Sequence, residues 1–99
     1  MIIMVTATFS MDKFPEVLEV GKKRLEEPLP SFVKLLHSLA KADKDCGMRT
    51  YNIFEVENEK LADGYATIAQ RMEPYWKIEG YKYSVDIVTD GVAWIKERG

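Results

Sequence analysis

This chain is poor in the residues that most enzymes use for chemistry. Its 99 residues hold one histidine, His37, and one cysteine, Cys46. A lone cysteine excludes an intramolecular disulfide framework and fits a reducing compartment. There is no HExxH pair, no Ser/His/Asp order and no Gly-rich phosphate loop. Long apolar runs are missing too. The N-terminal stretch MIIMVTATFS has neither a basic n-region nor an h-region of adequate length, so it reads as neither a signal peptide nor a membrane span. Charge is not one-sided: 14 Lys and Arg face 16 Asp and Glu, a net charge of −2. The one basic cluster, Lys22-Lys23-Arg24, runs straight into Glu26-Glu27, which describes a solvated helix face and not a footprint for phosphates. The expected setting is cytoplasmic and soluble, with no nucleic acid and no membrane as partner.

What is present describes an ordinary globular chain, 46% hydrophobic and 30% charged. A chain of this length forms one domain, residues 1–99, burying roughly 60–65% of its unfolded surface around a single modest core. Met1–Ser10 alternates, with Ile3, Val5, Ala7 and Phe9 on one face and Ile2, Met4, Thr6 and Thr8 on the other. The second face is too apolar for bare solvent. Asp12 reads as an N-cap for a helix carrying Phe14, Val17, Leu18, Gly21 and Leu25 on one stripe, ended by Pro28 and Pro30. Gly21 on that stripe points to close packing on a neighbour. Asn58 caps a second helix striped by Leu61, Tyr65, Ile68, Ala69 and Met72, closed by Pro74. Tyr81–Val88 is a final strand, Tyr81, Tyr83, Val85 and Ile87 on one face and Lys82, Ser84, Asp86 and Val88 on the other. Val92–Arg98 has room for a helical turn or two.

The architecture turns on Ser31–Glu57. Its second half, with Tyr51, Ile53, Phe54 and Val56, is a strand, and Asp43–Gly47 ahead of it is a turn. Phe32–Ala42 carries two signals. Phe32, Leu35, Leu36 and Leu39 recur at helical spacing, whereas Val33, Leu35, His37 and Leu39 would line one face of a strand. Only the strand gives the order β-α-β-β-α-β, which lets both amphipathic helices cover one sheet face. The expected class is α+β with ferredoxin-like topology: a four-stranded antiparallel sheet and two helices on one face.

The run ADKDCGMRTYNIFEVENEKLADGYATIAQRMEPYWKIEGYKYSV, close to half the chain, resembles small proteins of the dimeric α+β barrel superfamily. That resemblance implies a homodimer whose open sheet faces pack together; it implies a fold and no activity. The mixed faces bearing Ile2, Met4, Thr6 and Thr8, and Ser84, Asp86 and Val88, suit such an interface enclosing a partly polar cavity.

Candidate site residues are few. His37 is the one side chain whose unperturbed pKa lies near neutrality, and on a strand it faces either Asn52 or the Tyr51/Ile53 side, according to the hairpin register. Asp86, alternating with Ser84 and Val88, is the carboxylate expected to be desolvated. His37 or Asp86 is the candidate catalytic base, with Asn52, Thr6, Thr8 and Tyr83 as ligand-binding groups. The other readings are a surface histidine and a hydrogen-bonded structural carboxylate. Tyr75, Trp76, Tyr81, Tyr83 and Trp94 either line a hydrophobic ligand pocket or pack the core. Cys46, flanked by acidic residues, is an inert thiol, and Asp43, Asp45 and Cys46 make no metal site. No cofactor is expected. Two functions remain: a homodimeric binding or structural module whose partly polar cavity is either incidental or holds a small hydrophobic ligand, or a cofactor-free oxygenase or isomerase acting on a small hydrophobic or phenolic molecule.

Overall fold

A computed structural model describes residues 1–98. The elements run β1 (Ile2–Phe9), α1 (Phe14–Glu26), β2 (Val33–Asp43), β3 (Gly47–Val56), α2 (Leu61–Arg71), β4 (Lys82–Val88) and α3 (Gly91–Arg98). The four strands form one antiparallel sheet in the order β2-β3-β1-β4. The class is α+β with three helices, one more than the two-helix expectation, because the C-terminal turns form α3. The segment expected as a strand over Phe32–Ala42 is strand from Val33 to Asp43, as the topological argument required and the helical spacing did not.

β1 is central, and its alternation is realised in full. Ile3, Val5, Ala7 and Phe9 are each 2% exposed or less, while Ile2, Met4, Thr6 and Thr8 are only half-buried. Ile3 and Val5 join Val33, Phe54 and Val56 of the neighbouring strands and Ile68 and Met72 of α2 and its C-terminal turn in one core cluster. Full burial of each such aliphatic side chain contributes about 1.5–3 kcal/mol. The opposite sheet face holds no buried residue: Leu39, Tyr51, Ile53, Met4, Ile2 and Val88 stand there at half or full exposure.

The helical spacing within β2 has a physical source. A β-bulge falls between Leu35 and His37, so Leu36 is an extra residue with no partner on β3. Two apolar residues stand side by side there, which mimics a 3.6-residue period. The bulge also shifts the alternation by one. Val33 and Leu35 face the helices, opposite Val56 and Phe54, whereas His37 and Leu39 face the open side with Ile53 and Tyr51. The expectation that Val33, Leu35, His37 and Leu39 share one face is corrected accordingly.

The hairpin turn depends on Gly47, at φ 102°, where a side chain would strike Met11 N, Phe9 O and Ser10 Cα at 2.9–3.0 Å. Asp43 ties the turn. It accepts from the Asp45 backbone N–H at 2.9 Å and from Arg49 Nε at 3.0 Å.

Two expected helix caps are replaced. Asp12 lies in a 3-10 turn, Met11–Lys13, and its carboxylate accepts from Ser10 Oγ; no side chain caps α1. Asn58 likewise begins a 3-10 turn, and its Oδ1 accepts from the Met1 amino group at 2.9 Å, tying the start of β1 to the end of β3. Asp90 caps α3, its Oδ1 accepting from Val92 N at 2.9 Å and Ala93 N at 3.2 Å.

Candidate functional site

α1 does not lie flat on the sheet. Its inner stripe stands away from β2 and β3 and leaves a cleft of about 310 Å³. One wall is α1, through Phe14, Val17, Leu18, Gly21 and Leu25. Phe14 and Leu18 remain 41% and 46% exposed, much for residues on the stripe that should face a core. The floor is the helix-side face of β2 and β3, where Asn52, its partner Ser38 and Thr50 group between Phe54 and Met48. The distal part of β2, Ser38–Ala42, is exposed along its length, so nothing on that side closes the cleft. The volume stands at the lower end of the range of about 300–1,000 Å³ usual for small-ligand pockets. An apolar cleft with a few amide and hydroxyl groups on its floor can hold a hydrophobic molecule and orient one polar group.

Three polar side chains from three elements meet at the end of this cleft near the α1 C-terminus. Arg71, the last residue of α2, donates from one guanidinium nitrogen to Arg24 O at 2.7 Å and from the other to Glu27 O at 3.5 Å. Arg24 O also accepts from the Glu27 backbone N–H at 3.1 Å, so Arg71 adds a second donor to the carbonyls at the helix end. Arg24 pairs with Glu27 at 2.6 Å through its terminal nitrogen, but its Nε is buried and has no hydrogen-bond partner among the described residues. Tyr75 completes the group, and its hydroxyl lies 3.7 Å from where a Cβ on Gly21 would stand. Burial raises the Tyr75 phenol above its ordinary pKa, and the positive charges of Arg24 and Arg71 act against that rise. Tyr81, stacked on Tyr75 with ring centroids 4.8 Å apart, is pushed up further by burial.

The residues expected at the site divide between the two sheet faces. Asn52 pairs with Val5 and Ser38 and lies on the helix side, in the cleft floor. Tyr83 also lies on the helix side, opposite Ala7, but outside the cleft; its hydroxyl accepts from Trp76 Nε1 at 2.7 Å. Thr6, Thr8, His37 and Asp86 are on the open face. Asn52 is thus removed from the side on which it was to orient a substrate for His37 or Asp86. For His37 the reason is the bulge at Leu36, which sends it to the face opposite Asn52; Asp86 lies on that face because it pairs with Met4 while Asn52 pairs with Val5.

His37 and Asp86 occupy one cross-strand row, His37–Ile53–Met4–Asp86, at its two ends. Three inter-strand steps of about 4.8 Å put them about 14 Å apart, too far to share a proton within one chain. Both are exposed, and Asp86 accepts from Ser84 Oγ at 2.9 Å. Tyr75 and Tyr81 line the cleft, whereas Trp76 and Trp94 do not. Cys46 is half-buried in the hairpin turn and donates to Met48 O at 3.4 Å. Among the described residues no three His, Cys, Asp or Glu side chains gather as a metal site. Nor is any helix of those residues long and apolar enough to cross a membrane.

Arg24 and Arg71 carried no sequence signal of a site. Arg24 sits in a charge run and Arg71 beside a proline-closed helix end, and only the crossing of the two helix ends brings them together.

No protein-family model matches the chain, and no curated protein matches it. Among solved structures it is similar to part of the aminopeptidase PepT from Bacillus cereus ATCC 10987. The likeness covers 98% of this chain and 34% of that one, at 16% identity and a TM-score of 0.47. The chain therefore spans about a third of that protein's length. A likeness so distant carries no argument about function.

Proposed function

We propose that this chain is a small-molecule-binding module of ferredoxin-like topology, that it works as a two-fold homodimer, and that its ligand site is the cleft between α1 and the sheet. The observation that carries the reading is the cleft itself. Filling it with side chains would have stabilised the domain, yet α1 holds Phe14 and Leu18 at its rim instead of closing onto β2. A hydrophobic guest would bury the exposed flanks of Phe14 and Leu18. The open sheet face supports the dimer, because Ile2, Met4, Ile53, Leu39 and Val88 make an apolar surface rimmed by Lys34, Lys41, Glu55 and Lys82.

Titrating the protein with a graded series of apolar molecules and following backbone amide shifts tests the site. Shifts concentrated at Leu18, Thr50 and Asn52 are the expected result. Shifts confined to the open face would instead move the site to the dimer seam.

A second reading, a cofactor-free isomerase or oxygenase, is favoured by the shared row of His37 and Asp86. If two sheets pack face to face about an axis along the strands, each β2 lies over the other copy's β4. His37 of one protomer then stands above Asp86 of its partner, and the pair can serve as the acid–base couple that neither residue makes alone. Recovery of turnover on mixing His37→Ala with Asp86→Ala subunits, each inactive alone, would favour this reading over simple binding, because the mixed dimer restores one intact couple.

A further inference from the structure

Over β1, β2 and β3 the helix-side face is hydrocarbon at both ends of the cleft floor and polar between them. The rows Leu35–Phe54–Ile3 and Ala42–Met48–Phe9 enclose two mixed rows, Ser38–Asn52–Val5 and Ala40–Thr50–Ala7. A polar side chain on a core-facing surface costs free energy unless it is paired. Among the described residues the Ser38, Thr50 and Asn52 side chains hydrogen-bond to no other group of the chain. Their polar atoms are open to a guest. Ser38 is exposed, and half-buried Thr50 and Asn52 have no polar atom sealed off, Arg24 Nε being the one buried atom without a partner. The α1 side of the cleft is hydrocarbon apart from Lys22, exposed at its rim, and Arg24, already held by Glu27. No Asp or Glu among the described residues lines the cleft, so nothing there would hold a cation. Positions that break the apolar pattern of a core face are where function is to be sought.

We propose that the cleft binds an uncharged aliphatic carboxamide, its hydrocarbon chain against Leu18 and Phe54 and its amide group on Asn52, with the Ser38 and Thr50 hydroxyls beside it. The proposal rests on the reading of the cleft as the ligand site and adds the chemical class of the ligand. Ser38 stands directly across from Asn52, with Cβ atoms about 4.5–5.5 Å apart, and Thr50 is two residues along β3, about 7 Å away. One small polar group can therefore reach all three. A primary carboxamide carries two N–H donors and an oxygen with two lone pairs, the same set as Asn52. Two amides pair in plane through two hydrogen bonds, and the outer N–H and lone pair are left for the hydroxyls. An alcohol has one donor and leaves part of the group unpaired, at a cost for each desolvated atom. A carboxylate accepts and cannot donate, so Asn52 Oδ1 would face an anion with no proton between them.

The test uses the 99-residue chain, calorimetry and backbone amide shifts, with octanamide, octan-1-ol and octanoate as probes of one chain length. Octanamide is expected to bind at least about tenfold tighter than either of the others. Asn52→Leu, of similar volume, should bring octanamide to the level of octan-1-ol. Thr50→Val, which keeps the shape and removes the hydroxyl, should reduce the preference several-fold and carries the test if Asn52→Leu fails to fold. Octan-1-ol binding as tightly as octanamide would overturn the carboxamide assignment and leave the cleft as a hydrophobic site. Octanoate binding as tightly or more so would overturn it too, moving recognition to Lys22 at the rim. A preference for octanamide that survives Asn52→Leu, or Thr50→Val in its place, would do the same by putting the amide elsewhere. Binding of none of the probes would overturn the assignment and the cleft reading together.

Discussion

Gly64 of α2 sits directly on Val56 of β3. A Cβ at Gly64 would overlap both methyl groups of Val56, which is itself 1% exposed in the core. This contact sets how closely α2 approaches the sheet. At Gly21 on α1, by contrast, a Cβ would meet only the Tyr75 hydroxyl at ordinary contact distance. The close packing expected at Gly21 is found at Gly64, and α1 stands off where α2 is seated.

Gly64→Ala and Gly21→Ala should therefore act with opposite sign. Alanine favours a helix over glycine by up to about 1 kcal/mol. At Gly64 overpacking outweighs that gain, and a net loss of about 1–3 kcal/mol is expected. At Gly21 the gain should survive, because nothing has to move. Urea denaturation of the two variants against wild type is the measurement, and equal effects would show that α1 and α2 pack alike.

The open sheet face should hold two copies together. Sedimentation at micromolar concentration is expected to give twice the 11.4 kDa chain mass. Met4→Glu puts a second carboxylate beside Asp86, its partner in register, in the middle of that face. A monomer should result, with the fold retained because Met4 is outside the core. A wild-type chain sedimenting at 11.4 kDa would remove the dimer.

Acid should spare the hairpin longer than an ordinary carboxylate allows. The Asp45 backbone N–H and then Arg49 hold the Asp43 carboxyl at about 2, below its usual 3.8. A lowered folded-state pKa contributes stability that is fully present above the unfolded value and is lost as pH falls through the folded one. The turn should thus hold fully above pH 3.8 and loosen as pH falls towards 2. Carbon-detected NMR titration of Asp43 measures this directly. Arg49→Gln should move the midpoint only part of the way back, since the larger cause, the backbone donor, remains.

Alkali should act through the stacked tyrosines. Burial raises the phenols of Tyr75 and Tyr81 in the folded state, so their contribution is complete below the unfolded value of about 10 and is lost as pH climbs beyond it. Circular dichroism against pH should show unfolding setting in above about pH 10. Tyr81→Phe, which cannot ionise, should shift that onset upward. An unchanged onset would place the alkaline weakness elsewhere.

Much of the fold was legible because it rests on local periodicity. The alternation of β1 from Ile2 to Phe9, the stripes of both long helices and the turn before Gly47 each follow from rules that act within a few residues. Element order implies a strand over Phe32–Ala42 against that segment's own helical spacing, and the strand found is Val33–Asp43. The bulge behind that spacing was not legible, because an extra residue at Leu36 is defined only by the partner it lacks on β3. One residue of shift then decided that His37 and Asn52 lie on opposite faces.

The cleft belongs wholly to tertiary structure. Arg24, Arg71 and Tyr75 come from the end of α1, the end of α2 and the turn beyond it, and no spacing along the chain announces their meeting. What the sequence determined by itself was which residues must leave water and on which face of each element they stand. How far each helix stands from the sheet is a matter of contacts between residues distant in the chain: Gly64 seats α2 on Val56, and no such contact is made at Gly21 of α1.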